Sequence, residues 1–455
     1  MKRRSAVVAL VAPLATACAQ RPYPSDGEAG ALMERVAIWA WPLLAMERTR
    51  LLSLYRPTAG APPSSPNVLR HAQRLATHRN RNVVMPNNDT LYSSAWLSLQ
   101  GRALRLELPS AGPRYRSFQV LDAHTETVSV VHEGSTLIAG PGWAGAVPDG
   151  VRLLRSTTDL NWLLGRTQVY SVEDVPAAAA VQRVATLNPW SGATVPEPET
   201  APGLFKPPQD PVSEGVGMFD EIAALLPRNP PPTAHAWVGA AWTRLGFAGA
   251  SSPSQRIASQ GWQVAAEAAL HRAAGRVRAR GRESLSAAPG AQVDHGWRHD
   301  DVGRYGTDDL LRAATSWRGL GALPPSEAIY LTTSRAAAGQ ALRGSQPVTF
   351  SVDSRRWPSI GAFWSLSLYD ANEFFLVDNP IGRYAISEAT PGLLRDADGS
   401  IPLTVSAEAP LGARRNWLPA PADDYVLVMR LYRPTAAAGA YLAAMPRLMS
   451  APQPG

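Results

Sequence analysis

Side chains that can do chemistry are concentrated in the stretch Val84 to Trp96, which reads VMPNNDTLYSSAW. Asn87, Asn88, Asp89 and Tyr92 place amide, carboxylate and phenol groups close together in it. Asn and Asp side chains bond neighbouring backbone amides, so a turn that introduces a strand is one interpretation. A turn needs fewer polar residues than are present here. The second interpretation is a cleft in which Asp89 acts as a base or acceptor and the amides hold a polar ligand.

A further carboxylate, Asp122, makes hydrolysis an alternative. Together with Asp89 it forms the kind of pair that serves as acid and base when an ester or glycosidic bond is cleaved. Ser93 and His124 add the residue types of a serine hydrolase, but the chain lacks the G-x-S-x-G nucleophile elbow. Asp89 and Asp122 are therefore the catalytic candidates of this alternative.

The dipeptide Arg-Tyr occurs as Arg114-Tyr115 and again as Arg383-Tyr384. Arginine offers a planar fork for a carboxylate or phosphate, and tyrosine adds a flat face with a polar tip. Buried pairing of Arg114 with Asp89 or Asp122 is one interpretation, and recognition of an anionic or sugar-like ligand is the other. Trp417 either stacks on such a ligand or fills the core beside a proline-rich crossing.

The sequence predicts neither a metal site nor a cofactor. His295 and His299 are four residues apart in the stretch DHGWRHDD, but the H-E-x-x-H pattern is absent and a solvated charged loop explains them. The chain also lacks a glycine-rich phosphate loop and a dinucleotide-binding fingerprint.

Two regions of alternating apolar and polar residues must position these groups. The alternation is clearest at 104–108 and 364–368, and turn residues separate the predicted strands. We predict an α+β fold with two antiparallel, jelly-roll-like β-sandwich domains connected by a mainly helical segment. The predicted order is a signal peptide (1–17), a tether (18–27), an N-terminal helical region (28–80), the first sandwich (81–172), a proline-rich crossing with helices (173–344), the second sandwich (345–435) and a C-terminal tail (436–455).

Helices are predicted from their capping signals. Ser25 and Glu28 have capping-box spacing before an apolar helix. A second helix is predicted from an N-cap at Ser252 to Gly281, with Gly261 along one side.

The N-terminus has the pattern of an export signal. Three basic residues, 2–4, precede an apolar run at 6–14 that is too short to span a bilayer. Small residues then lead to Cys18, the only cysteine of the chain. Cleavage by an ordinary signal peptidase is one interpretation, and a bacterial lipobox with lipidation of Cys18 is the favoured one. The favoured interpretation predicts a lipoprotein of the cell envelope, anchored in the outer membrane and facing the periplasm.

Charge argues against nucleic acid as a partner. The formal net charge of +7 falls to +4 in the mature chain, because residues 1–17 carry three positive charges and no negative one. Arginines are spread along the chain instead of forming a dense basic patch. The predicted partners are the membrane, through the lipid anchor, and a small-molecule ligand.

The chain resembles a known pair of bacterial domains of unknown function. The resemblance to the first domain, numbered twelve-fifty-four, is carried by Pro86 to Trp96, Arg114-Tyr115, Leu121-Asp122 and Gly165-Arg166. The resemblance to its usual companion, numbered twelve-fourteen, is carried by Phe363 to Leu366, Tyr369-Asp370, Asn379-Pro380, Arg383-Tyr384, Asp398-Gly399, Asn416 to Pro421 and Arg430 to Tyr432. The resemblance covers residues 34–434 and implies two β-sandwich domains joined by helices, in proteins often exported. It implies no established reaction.

These observations together predict an envelope lipoprotein that binds a small polar or carbohydrate-like molecule. The expected cleft lies in the first β-sandwich domain near Asn88, Asp89, Tyr92 and Arg114. The alternatives are a hydrolase with paired carboxylates and a structural protein that uses its sandwiches as interaction surfaces.

Overall fold

The computed structural model describes residues 23–55, 64–81, 83–190, 204–285, 296–410, 412 and 414–450. In these residues the chain forms two sandwich-like β domains with a helical segment between them, so the predicted α+β fold is confirmed. The predicted signal peptide, Cys18 and His295 lie outside the described residues. Among the described helices, none is both long enough and apolar enough to cross a membrane.

The first domain consists of a five-stranded and a four-stranded sheet. Its strands are β1 Arg70–His71, β2 Thr90–Ser98, β3 Ala103–Leu108, β4 Arg116–Asp122, β5 Thr127–Val131, β6 Gly134–Ala139, β7 Arg152–Arg155, β8 Leu160–Gln168 and β9 Thr186–Pro189. The strand orders are β1-β2-β8-β4-β5 and β7-β6-β3-β9. Neighbouring strands are antiparallel except for β6 and β7. The outermost strands β1 and β9 lie beyond the predicted range of 81–172.

Alternation along β2 and β8 separates two faces of the larger sheet. Ala95, Leu97 and Leu163 pack into the core between the sheets, against Leu104 and Leu106 of β3. Because successive side chains of a strand point to opposite faces, the residues between them face the other way. That outer face is turned toward the helices and the second domain.

The second domain has two four-stranded sheets. Its strands are β10 Ala328–Thr333, β11 Val348–Val352, β12 Trp364–Asp370, β13 Ala385–Ser387, β14 Ile401–Ser406, β15 Trp417–Pro419, β16 Tyr425–Tyr432 and β17 Met449–Ser450. The orders are β10-β16-β12-β13 and β15-β14-β11-β17, and only the pair β14 and β15 is parallel among the pairs described. Strand β10 lies before the predicted range of 345–435. It shows no clear alternation because both of its faces are largely buried.

In the second domain, too, alternate side chains of the strands form the core between the two sheets. Leu366, Leu427 and Met429 lie in one apolar cluster with Phe350 and Leu403 of the opposing sheet. The outer face of β10, β16 and β12 is turned toward the first domain.

The α-helices of the described residues are α1 Asp26–Tyr55, α2 Val175–Arg183, α3 Gly217–Leu225, α4 Trp237–Arg244, α5 Pro253–Gln260, α6 Gln263–Glu283, α7 Asp309–Gly319 and α8 Ala438–Leu442. Six of these helices form a third layer beside the two domains, while α2 packs on the first domain and α8 on the core of the second. Ser25 Oγ accepts a hydrogen bond from the backbone N–H of Glu28 at 3.4 Å, in agreement with the predicted cap. Helix α1 packs against α6 and α7, so the N-terminal helix and the connecting helices share one apolar core.

The prediction of one continuous helix from Ser252 to Gly281 is wrong. The capping box at Ser252 forms, but α5 ends at Gly261, whose φ of 72° is left-handed, and α6 begins two residues later. Glycine adopts this conformation without the strain of a Cβ, which makes it a frequent helix terminator. Gly281 lies inside α6, where a Cβ would stand 2.5 Å from the ring of Trp317.

Candidate functional site

A cavity of about 300 Å³ lies where the two β domains meet. This volume is in the range of pockets that hold small organic ligands. Its residues come from the segment 72–87, from β2 and β8 of the first domain, from α7 and the loop after it, and from β10 and β16 of the second domain. Ala72 and Arg74 are exposed members of the lining, so the cavity opens to solvent beside them.

The first wall of the cavity is the outer face of β2 and β8. Tyr92 and Ser94 of β2 lie on it beside Trp162, Leu164 and Arg166 of β8. Each strand contributes every second residue, as the strand period requires. The register Tyr92 to Arg166 makes these two side chains neighbours across the strands.

The second wall is the outer face of β10 and β16. Tyr330 and Thr332 of β10 line the cavity together with Val428, Arg430 and Tyr432 of β16. The antiparallel register places Tyr330 directly opposite Arg430.

Asn87 connects the two walls. Its backbone N–H donates to the Tyr92 hydroxyl at 2.9 Å, and its Nδ2 donates to the Tyr432 hydroxyl at 2.6 Å. Its Oδ1 accepts from the backbone N–H of Asp89 at 2.7 Å, which closes a local turn. Both interpretations of the polar stretch therefore apply to Asn87, which forms a turn and lines the cavity.

The two residues before Asn87 are bound to the second domain through their backbone. The Met85 N–H donates to the carbonyl of Phe374 at 2.8 Å, and the Met85 carbonyl accepts from Arg430 at 3.2 Å. The carbonyl of Pro86 accepts from the Tyr369 hydroxyl at 2.8 Å. Residues 85–87 are thus a joint between the domains.

Asn88 and Asp89 do not line the cavity. The Asn88 Nδ2 donates to the carbonyl of Ala76 at 2.5 Å. The Asp89 carboxyl is enclosed, and burial raises its pKa to about 6, although Ser365 and Arg430 nearby counteract this rise. Its Oδ2 is buried without a hydrogen bond from the described residues.

Asp122 and the serine hydrolase candidates lie apart from the cavity. Asp122 Oδ1 accepts from the backbone N–H groups of His124 and Glu126, both at 2.9 Å, and burial raises its pKa to about 7. Burial lowers the pKa of His124 to about 3. The Ser93 hydroxyl lies 2.8 Å from Nδ1 of His71, so its histidine neighbour is not His124.

The dipeptide Arg114-Tyr115 has two separate structural partners. Arg114 forms a bidentate ion pair with Asp174, with N–O distances of 2.6 and 2.8 Å, so its partner is neither of the two aspartates predicted from the sequence. This pair raises the pKa of Arg114. The buried Tyr115 hydroxyl bonds Oε1 of Glu327 at 2.7 Å, and Oε2 of the same carboxylate lies 3.0 Å from His132. Glu327 immediately precedes β10, so this network joins the second domain to the first.

The predicted residues of the second domain also lie outside the cavity. Arg383 donates to the carbonyl of Trp417 at 2.8 Å, and the Tyr384 hydroxyl lies 2.7 Å from Nδ1 of His78. Trp417 is buried and donates its Nε1–H to the carbonyl of Ser406 at 3.0 Å. Of the sequence-predicted site residues, the structure therefore brings Asn87 and Tyr92 together at the cavity.

Charge in the cavity is predominantly positive. Its lining contains Arg74, Arg166, Arg318 and Arg430 but a single acidic residue, Asp300. Asp300 Oδ2 lies 3.6 Å from Arg318, and the surrounding arginines hold its pKa below the usual range despite burial.

Sequence reasoning did not select Arg166, Tyr330, Arg430 or Tyr432 as site residues. The signal that identifies the arginines is an ionisable residue inside an otherwise apolar strand, as in LNWLLGRTQ and YVLVMRLY. Burial of a charged side chain is costly, so such a residue in a strand marks a functional or structural polar site. Within the described ranges, no group of three or more His, Cys, Asp or Glu side chains is placed to hold a metal ion.

Comparison with known families finds two matches. Residues 66–189 match the model described as a protein of unknown function, DUF1254, and residues 327–436 match a second one, DUF1214. These are the two domains that the sequence motifs resemble, in the predicted order. The cavity lies between the two matched regions and takes residues from both.

A solved structure with a similar fold is that of the VPA0106 protein from Vibrio parahaemolyticus. The structural alignment covers 93% of this chain and 100% of the Vibrio chain, with a TM-score of 0.65 and 19% sequence identity. For a putative uncharacterised protein from Burkholderia cenocepacia, the alignment covers 93% of each chain, with a TM-score of 0.44 and 12% sequence identity. No curated protein matches the chain. The similarity to the Vibrio structure shows the fold alone.

Proposed function

As a member of the proteins in which a DUF1254 domain precedes a DUF1214 domain, the chain has a cavity at the domain joint, and we propose that this cavity binds one small organic molecule. The observation that carries the proposal is the set of residues that line the cavity. Polar groups from both domains converge on one space of about 300 Å³: the half-buried Tyr92 and the buried Arg166 on one wall, and the half-buried Tyr330 and the buried Arg430 on the other. Convergent polar groups in an otherwise apolar pocket are the usual composition of a ligand site.

The residues that line the cavity indicate the chemical character of the ligand. Trp162, Leu164, Val302 and Leu320 supply an apolar surface. The tyrosines and arginines supply hydrogen-bond donors. A molecule with an apolar body and a polar end matches both, whereas a carbohydrate would leave much of the apolar surface without contact.

We place this binding protein in the cell envelope. The support is in the sequence, where a basic start, a short apolar run and small residues precede Cys18. Lipidation at Cys18 would anchor the chain, because each buried methylene of an acyl chain contributes about 0.8 kcal/mol. Replacement Cys18→Ser is expected to abolish labelling of the protein with radioactive palmitate, and labelling that persists would contradict the anchor.

The binding proposal does not extend to hydrolysis. Asp89 and Asp122, the carboxylates of that alternative, are absent from the cavity lining. Asp122 is already engaged by two backbone N–H groups of its own turn.

Substitution Ala72→Trp tests the binding proposal. Ala72 is exposed at the opening of the cavity, so the indole is expected to block entry while leaving the core unchanged. The probe is the neutral dye N-phenyl-1-naphthylamine, whose fluorescence rises in an apolar environment. We expect the wild-type protein to bind it and Ala72→Trp to weaken binding by about tenfold or more, equivalent to about 1.4 kcal/mol.

The matched control is Ala144→Trp, at an exposed loop position that is not part of the cavity lining. This variant is expected to bind the dye as the wild type does. Equal binding by both variants and the wild type would locate the dye elsewhere and refute the proposed site.

A further inference from the structure

Three tyrosine hydroxyls at the cavity share an unusual hydrogen-bonding state. Each oxygen accepts a bond from an N–H group: Tyr92 from the Asn87 backbone at 2.9 Å, Tyr330 from the Leu323 backbone at 3.0 Å, and Tyr432 from Asn87 Nδ2 at 2.6 Å. A phenol has one hydrogen to donate. Among the described residues, none accepts a hydrogen bond from these three hydroxyls. The hydroxyls are therefore donors that lack a protein acceptor.

Two buried guanidinium groups lie beside these tyrosines. The Arg166 group lies 5.9 Å from the ring centre of Tyr92, and the Arg430 group lies 5.9 Å from that of Tyr330. Both arginines are nearly inaccessible to solvent, with 6% and 4% exposure.

The hydrogen bonds of these arginines go to neutral groups. Arg166 donates to Gln119 and to the carbonyl of Gly321, and Arg430 donates to Ser367, Tyr369 and a backbone carbonyl. In the part of the chain that the structure describes, no carboxylate oxygen lies within 4.0 Å of either group; the nearby Asp89, whose pKa Arg430 lowers, is not in direct contact with it. A buried charge that lacks an ion-pair partner is unfavourable, and its NH donors outnumber the bonds they make.

Tyr330 and Tyr432 remain neutral donors beside these arginines. Burial raises the pKa of Tyr330 and raises that of Tyr432 well above its usual value. A phenol that keeps its proton can donate a hydrogen bond but cannot neutralise a neighbouring arginine. The three O–H groups and the unused N–H groups of the two arginines thus leave several donors available to an acceptor from outside the protein.

We propose that this donor cluster binds the carboxylate of a small organic acid, an inference that rests on the proposed binding function. A carboxylate offers two oxygens with several lone pairs and matches the planar fork of arginine. The carbon skeleton of the acid lies against Trp162, Leu164 and Leu320. The apolar lining favours a monocarboxylate over a phosphate ester or a sugar acid, which carry more polar surface.

Calorimetric titration with octanoate and octanamide tests this inference, since the two probes differ only at the head group. Octanoate is expected to bind at least about tenfold more tightly than octanamide, the factor for one charge-assisted hydrogen bond. In the double variant Tyr92→Phe/Tyr330→Phe this preference is expected to shrink at least about threefold, because octanoate loses hydrogen bonds to a charged acceptor and octanamide only the weaker ones to a neutral carbonyl.

The control variant is Tyr115→Phe. Tyr115 is a buried tyrosine whose hydroxyl already has Ser117 and Glu327 as partners, and it does not line the cavity. It is expected to retain the preference for octanoate. The single variant Tyr330→Phe replaces the double one if the latter has a lowered Tm.

The outcomes separate the two proposals. Equal binding of octanoate and octanamide overturns the carboxylate inference and leaves the binding function intact. Binding of the neutral dye without measurable binding of either probe, or tighter binding of octyl phosphate than of octanoate, overturns it as well. Failure of the dye and of all these probes refutes both.

Discussion

Replacement of Gly165 by alanine is expected to destabilise the protein by about 2–3 kcal/mol, because it overfills a closely packed core. Gly165 lies in β8 between Phe118 of β4 and Ser93 of β2. A Cβ there would stand 2.7 Å from Cε1 of Phe118 and 2.9 Å from Cβ of Ser93. Phe118 is fully buried, and the Ser93 hydroxyl is bound by His71 and Gln182, so neither neighbour can yield readily. Urea denaturation measures the loss.

The same substitution is expected to weaken dye binding, since Arg166 follows directly and its strand would shift. Gly275→Ala is the control. Gly275 lies at an exposed position of α6 with no atom within 4 Å of the added carbon, so alanine is expected to stabilise by about 0.5–1 kcal/mol. A neutral or stabilising effect of Gly165→Ala would contradict the close packing on which the position of Arg166 depends.

The Asp89→Asn variant is expected to be more stable than the wild type near pH 8, by about 1–3 kcal/mol, with the difference vanishing below pH 4. Burial raises the pKa of Asp89 from 3.8 to about 6 in the folded protein. Between these values the folded state binds more protons than the unfolded state, so the stability of the wild type falls as pH rises through this window. Asparagine carries no charge and avoids this loss. Chemical denaturation at pH values from about 3.5 to 8 provides the measurement.

Asp174→Asn is the control of opposite sign. The Arg114 guanidinium lowers the pKa of Asp174, so the ionised carboxylate stabilises the fold above its unfolded pKa, and this contribution is lost as pH falls. Asp174→Asn is therefore expected to be less stable than the wild type at neutral pH. If Asp89→Asn were also less stable near pH 8, Arg430 would stabilise the Asp89 carboxylate by more than its burial costs.

The arrangement of the site explains why both domains occur in one chain. Each domain contributes a sheet face that would be exposed on its own, with a buried arginine and neighbouring tyrosines at its centre. Asn87 and Glu327 bind across the joint and hold the two faces at a fixed separation. Neither domain alone provides the full set of donors.

The sequence by itself determined the two-domain α+β architecture and the family. Strand alternation and turn residues depend on neighbours within a few positions, so they can be read from the chain directly. The cap at Ser252 was equally local. The sequence pattern does not predict the end of this helix at Gly261, because an apolar stripe does not reveal a left-handed residue within it.

Tertiary structure alone decided where the cavity lies and which polar residues reach it. The stretch around Asn87 stood out in the sequence, but its partner Tyr432 is 345 residues away and nothing local connects them. Asp89 lies two residues from Asn87 and yet does not line the cavity, because both residues precede β2 and the turn that Asn87 Oδ1 closes with the Asp89 N–H redirects the chain between them. Local pattern specifies which elements form and which face each buries. Which two outer faces meet is decided by the packing of whole domains.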